Sequence, residues 1–181
     1  MIVWINGAFG SGKTTVAHLL AAQLEDANLY DPEKIGSLLM ESLPSDMQPS
    51  DFQHYPEWRQ WNIALLQKIA QGYTGTLIVP MTLYNKAYYD EIMGGLTAAG
   101  IQIQHVQLEV SKVELIRRLT LREKENPANL EWGIAHIDPV LSAFHSFNQS
   151  EKISNEGPHP QAAVTQILAM LPELSKNLGS E

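Results

Sequence analysis

The chain has 181 residues, a formal net charge of −8, no cysteine, and 44% hydrophobic against 18% charged residues. That length suits one domain with a single core and is hardly enough for two, and the composition is that of a globular chain. The acidity excludes the broad basic surface that wrapping a nucleic acid requires, and the absence of thiols excludes disulfides and thiolate metal sites.

In chain order, residues 2–6 are short, β-branched and aromatic, as a buried strand should be. A helix is expected over residues 13–25, with Val16, Leu19, Leu20 and Leu24 at helical spacing. Residues 27–30 read as a short strand leading to Asp31-Pro32, where Asp caps a helix and Pro fits its first turn. That helix ends before Pro44, and a Pro-rich loop follows that is too long for an ordinary connection. A third helix starts near Pro56, with Trp58, Trp61, Leu65 and Ile69 as its apolar stripe. Residues 76–80 form the next strand, 85–99 a helix and 103–110 an alternating strand. Ser111 and Glu114 make a capping box for a helix through Arg122, and a polar loop follows. Residues 130–144 are expected to be helical, with Pro139 kinking or breaking the helix. A weak strand at 152–155 and a helix at 161–171 complete the order. Strands alternating with helices predict an α/β domain with a parallel sheet covered on both faces.

The first strand runs into Gly7-Ala8-Phe9-Gly10-Ser11-Gly12-Lys13-Thr14, which matches G-x-x-x-x-G-K-[ST], and Thr15 follows. Backbone N–H groups curled into a nest hold phosphate oxygens without any net charge, which an otherwise acidic protein needs. Lys13 adds a positive charge for the β- and γ-phosphates, and Thr14 offers its hydroxyl to Mg²⁺. A glycine-rich turn that binds nothing would leave Lys13 and Thr14 unexplained. ATP or GTP with Mg²⁺ is the expected ligand. The fold class implied is a P-loop NTPase of the nucleoside- and nucleotide-kinase type, a three-layer sandwich in one domain over residues 1–181.

Arg118 and Arg122 are four apart on one helix and precede the polar loop, as in a lid at about 123–130 that carries arginines to a transferring phosphoryl group. Their alternative is a solvated basic face, the expectation for Arg117. Asp31 stands where the second strand ends, placed to take a hydroxyl proton as a catalytic base, although Asp before Pro is also a plain helix cap. Arg59 and Asn62 on the third helix are candidates to hold an acceptor, with surface placement the alternative. Asp51, Phe52 and Tyr55 in the acceptor-side loop at about 44–56 would wall the same pocket, and Thr82 points to the same sheet edge. Many phosphate-loop enzymes end the "TLIVP" strand on a magnesium-binding carboxylate; here Val79-Pro80-Met81 stands instead. The six histidines show no metal spacing, and Trp58 and Trp61 read as core.

Five stretches, "WINGAFGSGKT", "YDPEKIG", "DFQHYPEWR", "LIVPMT" and "RRL" with Arg122 beyond it, resemble the tunicamycin-resistance ATP-binding proteins of bacteria, in the adenylate-kinase-like branch of phosphate-loop proteins. The resemblance implies ATP binding through residues 7–14 and a role in antibiotic resistance. Two functions are expected to compete: a kinase that phosphorylates a hydroxyl of a nucleoside-like or sugar-containing compound such as tunicamycin, and a protein that uses ATP to close around a drug. A third reading, membrane-surface action through residues 162–171, is disfavoured by the lack of a basic polar face. With no secretory n-region and no run of ~20 apolar residues, a cytoplasmic protein with a small-molecule partner is expected.

Overall fold

The computed structural model describes residues 1–147 and 150–172. Among them, β1 (Ile2–Gly7), β2 (Ala27–Leu29), β3 (Thr76–Pro80), β4 (Ile103–Glu109) and β5 (Glu151–Ser154) form one parallel sheet in the order β2-β3-β1-β4-β5. Strand β1 is central and wholly buried, so its apolar run needs no polar alternation. Its side chains divide between two cores. Ile2 and Trp4 join Leu77 and Val79 on one face, and Val3 and Ile5 join Ile78, Val106 and Leu108 on the other.

The second face is covered by α1 (Lys13–Ala21), through Val16, Ala17 and Leu20, and by α7 (Gln161–Met170), through Ala163, Val164 and Ile167. The apolar residues of α7 are therefore used inside the domain, which removes the basis for docking that helix on a membrane. No described helix is long and apolar enough to cross one. The first face carries α2 (Glu33–Ser42), α3 (Pro56–Gly72), α4 (Lys86–Ala98), α5 (Lys112–Arg122) and α6 (Pro127–Phe144).

Three expectations are corrected. Helix α1 stops four residues early, yet Leu24 remains in the core from the turn that follows. The buried face of α3 is Trp58, Arg59, Asn62 and Leu66, whereas Trp61 and Leu65 are 45% and 42% exposed. Periodicity alone assigned the apolar stripe, and two polar side chains with internal partners turned the helix instead. Helix α6 starts at Pro127, capped by Asn126, and runs through Pro139 without ending. Pro139 and Ala135 both lie on the exposed side, where water can take the carbonyl that proline leaves without a donor.

The loop between α2 and α3 is ordered by two short 3-10 turns, Ser45–Met47 and Phe52–His54. Asp51 caps the second by accepting from the Gln53 N–H at 2.9 Å. Phe52 lies over α2 at Gly36, where an added Cβ would stand 2.5 Å from the ring, so this packing requires glycine. Behind Phe52, fully buried Trp58 donates its indole N–H to the Pro32 carbonyl at 2.9 Å, fastening α3 to the start of α2.

Candidate functional site

The turn from β1 to α1 lies at the carboxyl ends of the strands, where parallel α/β sheets place ligands. Its N-cap is Gly12, at φ 88°, with no side-chain cap and no acidic residue in the first turn of α1. A Cβ there would also meet the Asn155 amide nitrogen at 2.8 Å. The first N–H groups of α1 are thus left unpaired within the helix and its dipole uncompensated, as an anion site requires.

The loop is held by polar side chains buried around it. Asn6 accepts from the N–H groups of Gly7 and Leu83 at 2.9 Å each and donates to the Leu83 carbonyl at 2.8 Å. Thr82 donates its hydroxyl to the Gly7 carbonyl at 2.9 Å, and Asn155 its amide to the Ser11 carbonyl at 2.7 Å. Asn6 and Asn155 escape sequence reading because an asparagine at a strand end resembles any turn residue.

Two cavities open on this turn. One, of about 620 Å³, is bounded by the loop, Arg118 and Arg122, and by Asn155, Gly157, Pro158 and Pro160. The other, of about 500 Å³, lies toward α2 and α6 and is walled by Phe9, Glu33, Asp51, Phe52, Thr82 and Trp132, among others. They share Gly10, Lys13, Thr14 and Arg122. The loop after β5 borders the first cavity through Asn155, Gly157, Pro158 and Pro160.

Lys13 is the hinge between them. Its ammonium donates to the carbonyls of Gly7 and Ala8 at 3.0 Å each. Burial pushes its pKa down to about 7, opposed by the Glu33 carboxylate and reinforced by the Arg122 guanidinium. A polyphosphate in the turn would favour the charged form. The free loop therefore holds a largely neutral amine above pH 7, and binding must recruit a proton. Affinity should fall about tenfold per pH unit above neutrality, until the bound-state pKa is passed. Calorimetry of nucleotide binding at pH 8, in two buffers of different ionisation heat, should register uptake approaching one proton; no uptake would contradict this reading.

The Thr14 hydroxyl has no hydrogen-bond partner among the described residues and borders both cavities. It is the oxygen ligand this loop could give to a phosphate-bound Mg²⁺, and it fits the hard-donor chemistry of that ion. Ser11 Oγ, buried beside Gly7, also lacks a partner among the described residues. No described cluster of three or more acidic or histidine side chains could hold a metal by itself.

The expected lid arginines differ in kind. Arg118 is already engaged: it pairs with Glu114 at 2.7 Å and donates to the carbonyls of Asn155, Glu156 and Gly157 at 2.7, 3.2 and 3.0 Å. It therefore ties α5 to the loop after β5 and forms a wall of the first cavity. Arg117 lies at the surface and shares Glu114, whose carboxyl these two arginines hold down to about 2. Arg122 is more exposed and pairs with neighbouring Glu123 at 2.6 Å, so it is the arginine free to reorient. Between α5 and α6 only residues 123–126 are non-helical, and α6 takes up the rest of the expected lid. Arg118→Ala should cost about 1–2 kcal/mol, because it strands several carbonyls at once, and Arg118→Lys should not restore it; urea unfolding reads both.

The acceptor-side residues separate as clearly. Phe52 and Thr82 line the second cavity, whereas Tyr55 does not and instead donates its hydroxyl to the Met47 carbonyl at 3.2 Å. Asn62 is fully buried, accepting from the Tyr30 hydroxyl at 2.7 Å and donating to the Trp58 carbonyl at 2.7 Å. Arg59, expected beside it, stacks on Tyr88, pairs with Glu91 at 2.5 Å and donates to the Gln53 carbonyl at 2.7 Å. These two side chains brace the pocket from behind. Asp31 is exposed and borders neither cavity; its carboxylate accepts from the Glu33 N–H at 3.0 Å and caps α2. Glu33, two residues on, lines the second cavity, and the sequence reading missed it because the helix-start pattern drew attention to Asp31.

This geometry defines a phosphate-loop, kinase-like domain: a parallel sheet whose nest-forming turn joins two cavities at one lysine. The chain belongs to the AAA domain family, whose model matches residues 2–146. Among solved structures, the tunicamycin resistance protein of Deinococcus radiodurans is 27% identical, covers 99% of this chain and 98% of its own, and superposes with a TM-score of 0.79. A gluconokinase from Sinorhizobium meliloti is 17% identical over 97% of this chain and 93% of its own, at a TM-score of 0.64. A sugar kinase from Janibacter sp. is 16% identical over 93% and 92%, also at 0.64. The two kinases show the shared fold. A search of curated proteins found no match.

Proposed function

We propose that the chain is a cytoplasmic ATP-dependent phosphotransferase that acts on a hydroxyl of a nucleoside-like or sugar-containing compound, tunicamycin among the candidates. The observation that carries this reading is the pair of cavities meeting at Gly10, Lys13, Thr14 and Arg122. A protein that only bound nucleotide would need the first cavity alone. The tunicamycin resistance protein, similar along nearly its whole length, supports the choice of acceptor.

In this reading the N–H groups of the turn and Lys13 hold the phosphate chain, with Arg118 and the loop after β5 walling the nucleoside side. Mg²⁺ carried with the nucleotide would supply positive charge that neutralises the phosphates during transfer. Thr14 would supply one ligand to it. Lys13 leaves the Gly7 and Ala8 carbonyls for phosphate oxygens, and Arg122 turns from Glu123 toward the charge that develops during transfer. Asp31 acts on the site through α2, whose first turn it holds.

A second reading, ATP-dependent sequestration of a drug without transfer, is favoured by the apolar end of β3, where no carboxylate follows Pro80. Incubation with γ-labelled ATP and tunicamycin, nucleosides or aminoglycosides separates the two. Label on the acceptor is expected. Drug binding that requires ATP yet leaves it intact would establish sequestration instead.

A further inference from the structure

We infer that the cavity beside Glu33 takes an uncharged ring compound, with its reacting hydroxyl held on the Glu33 carboxylate. This rests on the acceptor reading of that cavity and adds the class of acceptor and the group that receives it.

Charge supplies the first argument. The only cations bordering this cavity among the described residues, Lys13 and Arg122, also border the nucleotide-side cavity, so a phosphate chain would engage both. What remains is Glu33 and Asp51. A sugar acid or phosphate ester would face two carboxylates with no unclaimed cation, and like charges at close quarters exclude such a ligand.

Availability supplies the second. One Asp51 oxygen already caps the neighbouring turn, and Asp31 is likewise spent on α2. The Glu33 carboxylate has no hydrogen bond or ion pair from any described residue, yet it lies within electrostatic reach of Lys13. Burial, then the Asp31 charge, raises its pKa above the ordinary carboxylate range, which suits a group that accepts a proton.

The walls supply the third. Phe9, Phe52 and Trp132 line the cavity beside Met40 and Met81. Trp132 is held ready: it stacks on His136 with centroids 4.0 Å apart and meets the Phe9 ring edge-on at 4.8 Å. Such a wall receives the face of a ring and offers no charge to an anion, while Lys13 and Arg122 at the cavity's edge disfavour a cation. During transfer, the acceptor oxygen bonds to the γ-phosphorus as the bond to the β–γ bridging oxygen breaks, the electron pair leaving with the nucleoside diphosphate. The hydroxyl proton passes to Glu33 and then to water.

The test is equilibrium binding in the presence of magnesium AMP-PNP, which is not transferred. The probes are uridine, N-acetylglucosamine and tunicamycin against uridine 5′-carboxylate, glucuronate and gluconate. At least one uncharged probe should bind with Kd below about 1 mM, and its carboxylated counterpart about tenfold or more weakly. Glu33→Gln should collapse that discrimination to within about threefold and, in single-turnover transfer, cost about 100-fold or more; Asp31→Asn should cost less. Preference for the anions, undiminished discrimination in Glu33→Gln, or no binding of any uncharged probe would overturn the inference. Selective binding without transfer in the wild type would overturn the kinase reading alone, because the binding arm needs no chemistry.

Discussion

Replacing Lys13 with alanine is expected to weaken MgATP binding by roughly 10- to 100-fold, the equivalent of about 1.5–3 kcal/mol for a charge-assisted contact to phosphate. The fold should survive. In the free chain this ammonium donates to the Gly7 and Ala8 carbonyls, and Lys13 belongs to neither apolar core. The loss should be larger for ATP than for AMP, because Lys13 stands where the two cavities join, at the end expected to hold the outer phosphates. Calorimetric titration with each nucleotide checks this. Equal losses for both would mean that the lysine serves the general charge of the pocket and not the terminal phosphates.

The largest effect on stability is expected at Trp58. Trp58→Ala removes a fully buried indole and its bond to the Pro32 carbonyl, and should cost about 3–5 kcal/mol in urea unfolding. It should also loosen the acceptor side. Phe52 rests on that indole with centroids 5.4 Å apart, and Phe52 in turn walls the cavity beside Glu33. Trp58→Phe, which keeps a ring but loses the bond, should fall between the two. A Trp58→Ala protein as stable as the parent would mean that the α2–α3 contact contributes little.

Residues 7–14 announced the phosphate loop because their spacing records a backbone shape that few sequences need. The parallel sheet followed from the alternation of strands and helices, and the burial of β1 from its uninterrupted apolar run, whereas the strand order is not recorded in that pattern. Residue roles away from the loop were harder to read. Arg59 and Asn62 looked like ligand contacts because polar residues opposite an apolar stripe normally face solvent. Their partners, Glu91 and Tyr30, lie 32 residues away in each case, and no local pattern reveals such pairs. Trp61 and Leu65 were misplaced by the same error, since a helix turned by one residue presents a different stripe.

Asp31 and Glu33 illustrate a different limit. Both belong to one helix start, and the sequence shows two carboxylates without saying which one caps and which one lines a cavity. Only the path of the chain after β2 separates them. The wall made by Phe9, Trp132 and His136 was hidden for a related reason: it joins the phosphate loop to a helix more than a hundred residues later.

The most direct measurement is a crystal structure of the complex with magnesium AMP-PNP. The β- and γ-phosphates should lie on the N–H groups at the start of α1, with Lys13 Nζ drawn off its carbonyls to about 3 Å from a γ-oxygen. The base should stand against Arg118 and the loop after β5, and the γ-phosphorus should face Glu33. Phosphates seated elsewhere, or a base occupying the cavity beside Glu33, would contradict the division of the site into a nucleotide side and an acceptor side.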